Sequence, residues 1–173
     1  DMRMNAKDSL TAADILNTYD VKDLTYILGT YGEEKFAKRI AQELIKRRAD
    51  KPWSSTFELV DLIKDVIPAP ARRTGGNPAK RTFQALRIAV NNELQILERA
   101  IPQAMSALVV GGRILVLSYH SLEDRIVKNA FRVGTESKTP VDMPFVPESD
   151  MPWLQLLTRG SESASESEVE ENS

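Results

Sequence analysis

"RILVLSYHSLEDR", residues 113–125, is the stretch that decides how this chain is read. Residues 113–119 form a short, nearly continuous apolar run, entered from Gly111-Gly112. Such a run fits a strand buried on both faces, as in a parallel sheet under helices. Ser121-Leu-Glu-Asp124 then has the form of a capping box, the start signal of a helix whose Ile126, Val127, Ala130 and Phe131 can face a core. The chain has one histidine, and His120 stands at this junction of strand and helix. In open α/β sheets, ligands bind beyond the carboxyl ends of the strands, and a helix N-terminus adds unpaired amides that accept an anion. Tyr119 and His120 are therefore the candidate catalytic residues. Ser121, Asp124 and Arg125 form a candidate capping or anion-binding group. The plainer alternatives are a structural histidine, an ordinary cap and an ordinary ion pair.

Upstream of this stretch the pattern is helical. Thr11-Ala-Ala-Asp14 is a second capping box, and Ile15, Leu16, Leu24, Ile27 and Leu28 predict two short helices ending at Gly29 and Gly32. Over 33–50, Phe36, Ile40, Leu44 and Ile45 make one apolar stripe, with Glu33 and Glu34 leading and Lys46, Arg47 and Arg48 closing, as the helix dipole prefers. Ser54, Ser55 or Thr56 caps a further helix, which Pro68 and Pro70 stop. "RRTGGNPAK" reads as a loop. The longest helical pattern follows, with Phe83, Leu86, Val90, Leu94, Leu97 and Ile101 on one face, kinked or split at Pro102 and over by Gly111-Gly112. Beyond Arg132, four prolines in "GTESKTPVDMPFVPESDMP" mark a long connection, and "WLQLLTRG" is a candidate last strand.

Composition narrows the class. With 173 residues, 42% hydrophobic and 28% charged, the chain suits one globular domain or two small ones. No apolar run nears the ~20 residues that cross a bilayer, and the first residues lack a signal pattern, so a cytoplasmic protein with no membrane partner is expected. Without cysteine, and with one histidine, there is no ligand set for a metal site. The net charge of −2 hides an asymmetry. Residues 161–173 hold five glutamates and no base, so the rest has 23 basic against 20 acidic side chains, a net +3. Arg72, Arg73, Lys80, Arg81 and Arg87 fall in a span without an acid and are the candidate RNA-binding residues, with Lys46, Arg47 and Arg48 as further ones. By composition, the serine- and glutamate-rich end is disordered.

One strand and a doubtful second cannot stand alone as a sheet. A resemblance explains the imbalance. "DMRMN", "ADILNTY", "YGEEKFAKRIAQEL", "NPAKRTFQALRIAVNNELQILERAIPQA", "GGRILVLSYHSLEDRIVKNAFR" and "LLTRG" together resemble the bacterial 16S ribosomal RNA (cytosine-N4)-methyltransferase family, in the right order over nearly the whole chain. The resemblance implies an α/β fold: the C-terminal part of a Rossmann-like methyltransferase sheet plus an all-helical inserted domain. It implies S-adenosylmethionine as cofactor, with its glycine-rich site expected mainly in an N-terminal half that precedes "DMRM". The implied reaction methylates the N4 amine of a cytidine in 16S rRNA at the decoding centre, with the small ribosomal subunit as partner. Asn77 stands where that family usually has histidine, and the family continues past residue 173 with an arginine-rich stretch. The implied layout is a junction at 1–10, a helical insert for RNA recognition at 11–70, the later part of the methyltransferase domain at 71–160 and an acidic tail at 161–173. By the same resemblance "WLQLLTRG" joins the sheet, and Ser165 caps a short helix in the tail. As it stands the chain is expected to be inactive alone. A non-catalytic RNA-binding or helical interaction module is the alternative.

Overall fold

The computed structural model describes residues 1–72, 77–140, 142–158 and 160–172; of Arg72 it describes the backbone only. Two compact units result, residues 1–96 and 97–173.

The first unit is a helical bundle. Thr11 caps α1 (Ala12–Thr18) with the expected box: its hydroxyl accepts from the Asp14 amide, and Asp14 accepts from the Thr11 amide. The chain then turns at Tyr19-Asp20, and Asp20 caps α2 (Val21–Thr30). The break between the first two helices thus falls well before Gly29, which lies inside α2. An Asp that accepts from the third helical amide ends one helix and starts the next, whereas a glycine within a packed helix is merely tolerated. Helix α3 (Ala37–Arg48) starts later than its acids imply. Glu33 has a left-handed backbone, φ 48°, and Glu34 is buried in the corner, accepting from the Phe36 amide. The three bases do close α3. Ser55 caps α4 (Thr56–Val66), and a one-turn helix, α5 (Ala69–Arg72), follows Pro68.

Helix α6 (Lys80–Asn91) ends at Asn92, which adopts φ 51°, and α7 (Glu93–Ser106) begins at the next residue with Pro102 inside it. The split of the long apolar pattern therefore lies at Asn92, not at Pro102. Asparagine tolerates the left-handed conformation, and Arg87 binds Glu93 through both its Nε and Nη2 at 2.9 Å, bracing the break. Proline removes one helical hydrogen bond, which α7 absorbs without ending.

Nineteen buried hydrophobic side chains make the first unit's core, among them Ile15, Leu24, Leu28, Ile40, Leu44, Leu62 and Leu86. Helix α2 lies against α3 and α6, and α4 lies on α3. Polar groups lock the corners. Asn17 and Trp53 pair reciprocally through amide and backbone at 2.7 and 2.9 Å, and the Trp53 indole donates to the Leu44 carbonyl. Arg48 donates to the Leu16 and Tyr19 carbonyls, satisfying the open end of α1. The first residues are tied down as well: Asn91 accepts from the Met4 amide and donates to the Met2 carbonyl.

The second unit has the α7 end and α8 (Ser121–Thr135) around a small core of Ile101, Met105 and Val127, with a 3-10 turn at Glu148–Asp150 and α9 (Glu166–Glu171) contributing no buried residue. No β-ladder forms among the described residues, so the expected sheet is not built within this chain. Residues 113–119 form neither helix nor ladder, and burial alternates along them. Ile114 and Val116 rest on the small core, while Leu115, Leu117 and Tyr119 are 92%, 72% and 85% exposed. The expected burial on both faces is therefore corrected to burial on one. Nor is "WLQLLTRG" paired as a strand: the Trp153 and Leu154 amides both donate to the Gly134 carbonyl at 3.0 Å, strapping this segment onto α8. Gly134 permits that approach, because a Cβ there would lie 2.6 Å from a Leu154 methyl. Ser165 caps α9 by accepting from the Glu168 amide, so this end is helical as the resemblance implied and composition did not.

Candidate functional site

Two places gather chemistry, one in each unit. The first is the start of α6. Lys80 and Arg81 occupy its first turn, which has no acid and no side-chain cap. Cations at the positive end of a helix oppose its dipole, and an anion seated beside them relieves that opposition. Asn77 shapes the approach: its side chain accepts from the Ala79 amide and its carbonyl from the Lys80 amide. The corner between α2 and α3 supports this turn from below. A Cβ on Gly32 would lie 2.7 Å from the Arg81 carbonyl, so only glycine allows the contact, and Arg81 Nη1 donates to the Glu33 carbonyl at 3.2 Å. Thr82 is fully buried beneath, and its hydroxyl has no partner among the described residues.

The five expected phosphate-gripping residues thus divide. Lys80 is exposed and Arg81 is partly engaged by backbone. Arg87 is neutralised by Glu93. The Arg72 side chain and all of Arg73 lie outside the described residues. Of the further candidates, Arg47 is paired with Glu43 and Asp65, and Arg48 holds the α1 end; Lys46 is exposed.

The second place is the head of α8. The cap falls one residue earlier than expected: His120, not Ser121, is the N-cap. Its Nδ1 accepts from the Glu123 amide at 3.4 Å, and Glu123 Oε2 accepts from the Tyr119 and His120 amides at 2.7 and 3.3 Å. Asp124, the expected reciprocal acid, instead meets Lys128 at 2.8 Å. An imidazole lone pair replaces the usual cap oxygen here, which residue-type preferences for caps do not reveal. His120 Nε2 is buried, 3.5 Å from Glu123 Oε1 without hydrogen-bond geometry, and has no other partner among the described residues. Ser121 and Arg125 lie in the first turn. Glu123, which ties the Tyr119-His120 pair to α8, was not among the candidates; its spacing of three from His120 was the available signal.

Sequence reading also passed over an open pocket of about 350 Å³ in the first unit, lined by tyrosines of α2 and its flanks. No metal-binding cluster exists among the described residues, and none of their helices is long and apolar enough to cross a membrane.

A helical bundle with a cationic helix start, followed by a unit whose 113–119 segment has one face bare, is the class of molecule these features define. Comparison with known proteins makes it particular. The chain belongs to the MraW methylase family, which it matches over residues 1–173. It is 59% identical over 172 residues to the ribosomal RNA small subunit methyltransferase H of Frankia alni, covering 99% of this chain and 53% of that protein. The proteins of the same name from Mycobacterium marinum and Streptomyces avermitilis are 59% and 56% identical, with 44% and 54% of their lengths covered. The chain thus spans about half the length of the curated relatives it matches.

Methyltransferase families use S-adenosylmethionine, so its fit can be asked of the residues present. Gly111 (φ 82°) and Gly112 form an exposed turn, and Gly112 donates to the Val109 carbonyl, but the segment that follows is not helical. The described residues therefore offer no glycine-rich cradle opening onto a helix N-terminus and do not fit that group.

Proposed function

We propose that this chain is the RNA-gripping and sheet-completing part of an S-adenosylmethionine-dependent methyltransferase that modifies small-subunit ribosomal RNA in the cytoplasm. In this reading residues 11–70 recognise RNA, and residues 71–160 are the later part of a Rossmann-like methyltransferase domain. The product is a cytidine methylated at N4 in the decoding centre of 16S rRNA. The relatives' names and the family match support the activity. The observation that carries the structural side is the alternation over 113–119: one face already on a core, the other bare, as expected of a strand whose neighbours lie elsewhere in the protein.

The residues take distinct roles. Lys80 and Arg81, with Arg72 and Arg73, hold backbone phosphates near the α6 amides, while Arg87 chiefly braces the α6 end. Tyr119 stacks on a base withdrawn from its neighbours, as enzymes acting on bases require. His120 accepts from the Glu123 amide at Nδ1, so its neutral ring carries the proton on Nε2, which donates to an acceptor of the bound base while Glu123 fixes the ring.

Calorimetric titration with S-adenosylmethionine tests the division of labour. This chain alone should give no binding heat, and a chain extended upstream should bind. Tight binding to the short chain sinks the reading. If neither binds, the non-catalytic module that the absent cradle favours becomes correct. In the full-length enzyme, His120→Asn keeps a side chain that caps helices. Turnover about 100-fold lower is expected from loss of the Nε2 donor; unchanged turnover leaves His120 a cap only.

A further inference from the structure

Helix α3 presents a face that has no part in the roles above. Ala37, Ile40, Ala41 and Leu44 are buried and fix which side of the helix lies on the core. At about 100° per residue, Lys38, Gln42, Lys46 and Arg39 then fall within one arc of roughly 100° on the opposite side. All four are exposed. The arc holds no acid, and the positions that could neutralise it are taken otherwise. Gln42 stands four residues from both Lys38 and Lys46, where a carboxylate would pair with either and a neutral amide does not. Glu43, four residues from Arg39, lies at the edge of the arc and binds Arg47 at 2.8 Å instead. Glu34, four residues before Lys38, is buried and accepts from the Phe36 amide. Among the described residues, Lys38, Arg39 and Lys46 therefore keep their charge without a carboxylate beside them.

The chemistry of this face selects its partner. From Lys38 to Lys46 the helix rises about 12 Å, too far for one small anion and enough to follow roughly three phosphates of one strand. The arc carries no aromatic side chain, so it gives unpaired bases nothing to stack on. A straight, convex row of cations suits instead the backbone of an A-form duplex, which proteins recognise by shape and by contacts to phosphates and 2′-hydroxyls across its shallow minor groove. Gln42, set between the cations, has the amide donor and acceptor that a ribose hydroxyl can meet.

We propose that the outer face of α3 docks along the backbone of a double-stranded RNA segment. Lys38, Arg39 and Lys46 meet phosphates, and Gln42 meets a ribose 2′-hydroxyl between them. The docking rests on the reading that the chain binds RNA, and deepens it: the cations at α6 hold phosphates at a helix start, while α3 lies along paired RNA and distinguishes it by shape.

Fluorescence anisotropy of this chain with an RNA duplex of about 16 base pairs, one of its separated strands and a DNA duplex of the same sequence tests it. The RNA duplex should bind roughly fivefold tighter than either of the others. Joint replacement Lys38→Gln, Arg39→Gln and Lys46→Gln keeps a good helix former at each exposed site, and circular dichroism checks that the bundle persists. Duplex affinity should then fall about tenfold or more, and the slope of log affinity against log salt should flatten by roughly two to three. Gln42→Ala should erase the preference for the RNA duplex over the DNA duplex. An unchanged salt slope in the triple variant, or equal binding of duplex and single strand, overturns the docking while leaving RNA binding by the chain standing. Binding of polyglutamate as tightly as the duplex would assign the face to an acidic protein and overturn it too. Failure of the unaltered chain to bind any of the nucleic acids overturns the RNA reading itself, and the docking with it.

Discussion

The two units differ in how much of their hydrophobic surface they bury within this chain. Residues 1–96 enclose a nineteen-member core with its helix ends capped by Thr11, Asp20 and Ser55. Residues 97–173 enclose Ile101, Met105 and Val127, and leave Leu115, Leu117, Tyr119, Trp153 and Leu157 more than half exposed. The sequences are not different in kind; both carry well-patterned apolar residues. A helix satisfies its own backbone and needs one apolar face covered, so several helices can close a core among themselves. A segment in a sheet needs backbone partners from neighbouring strands and cover for its apolar faces, and α7 and α8 cover one face of 113–119 without pairing its backbone.

The widest contrast should appear in amide exchange. Core amides of α2 and α3 should exchange at least about a thousandfold more slowly than those of 113–118, which make no backbone hydrogen bond to another segment among the described residues. Strong protection of 113–118 in this chain alone would break the comparison. Core truncation should sharpen it. Leu44→Ala, at a fully buried site, should cost about 3 kcal/mol in denaturant unfolding, against roughly 1–2 kcal/mol for Val127→Ala. Equal costs would mean that the second unit is as consolidated as the first.

Removing the unusual cap is a smaller perturbation. His120→Ala should destabilise α8 by about 1 kcal/mol, as loss of other side-chain caps does, and His120→Asn should recover it. The smallest effect concerns acid. The Thr11 hydroxyl and backbone amide donate to Asp14 and hold its carboxyl below the usual carboxylate range. A lowered folded value means that the cap's contribution is complete above the ordinary carboxylate range and is lost only as pH falls through the lowered one. Circular dichroism against pH should therefore show α1 persisting below the usual carboxylate range, and Asp14→Ala should remove that acid-dependent step. The same direction holds for Glu58, whose carboxylate Lys51 engages.

Much of the first unit could be read in advance. The Thr11 box and the basic end of α3 depend on neighbours in sequence and turned out as expected, and of Ser54, Ser55 and Thr56 it is Ser55 that caps α4. The misplaced features each depend on something farther away. Asn92 takes the break from Pro102 with Arg87 and Glu93 clasped across it. Glu33 and Glu34 lie outside α3, in the corner where Gly32 closely approaches α6 and Glu33 turns left-handed. At the candidate site, the sequence pointed to the Tyr119-His120 junction but placed the cap at Ser121, since an imidazole acting as cap acceptor has no composition signal. The cationic span was found, yet which of its members remain available was not: Arg87's pairing lies with an acid just beyond it.

What the sequence determined by itself is therefore local: where helices begin, which faces are apolar, and the motif order that places the chain in its family. Tertiary structure alone decided which cations are already engaged, that Asn92 and three tyrosines share one pocket, and that residues 113–119 keep one face bare. Capping and periodicity act over a turn or two of chain, whereas charge pairing, pocket formation and strand coverage depend on groups brought together from distant positions.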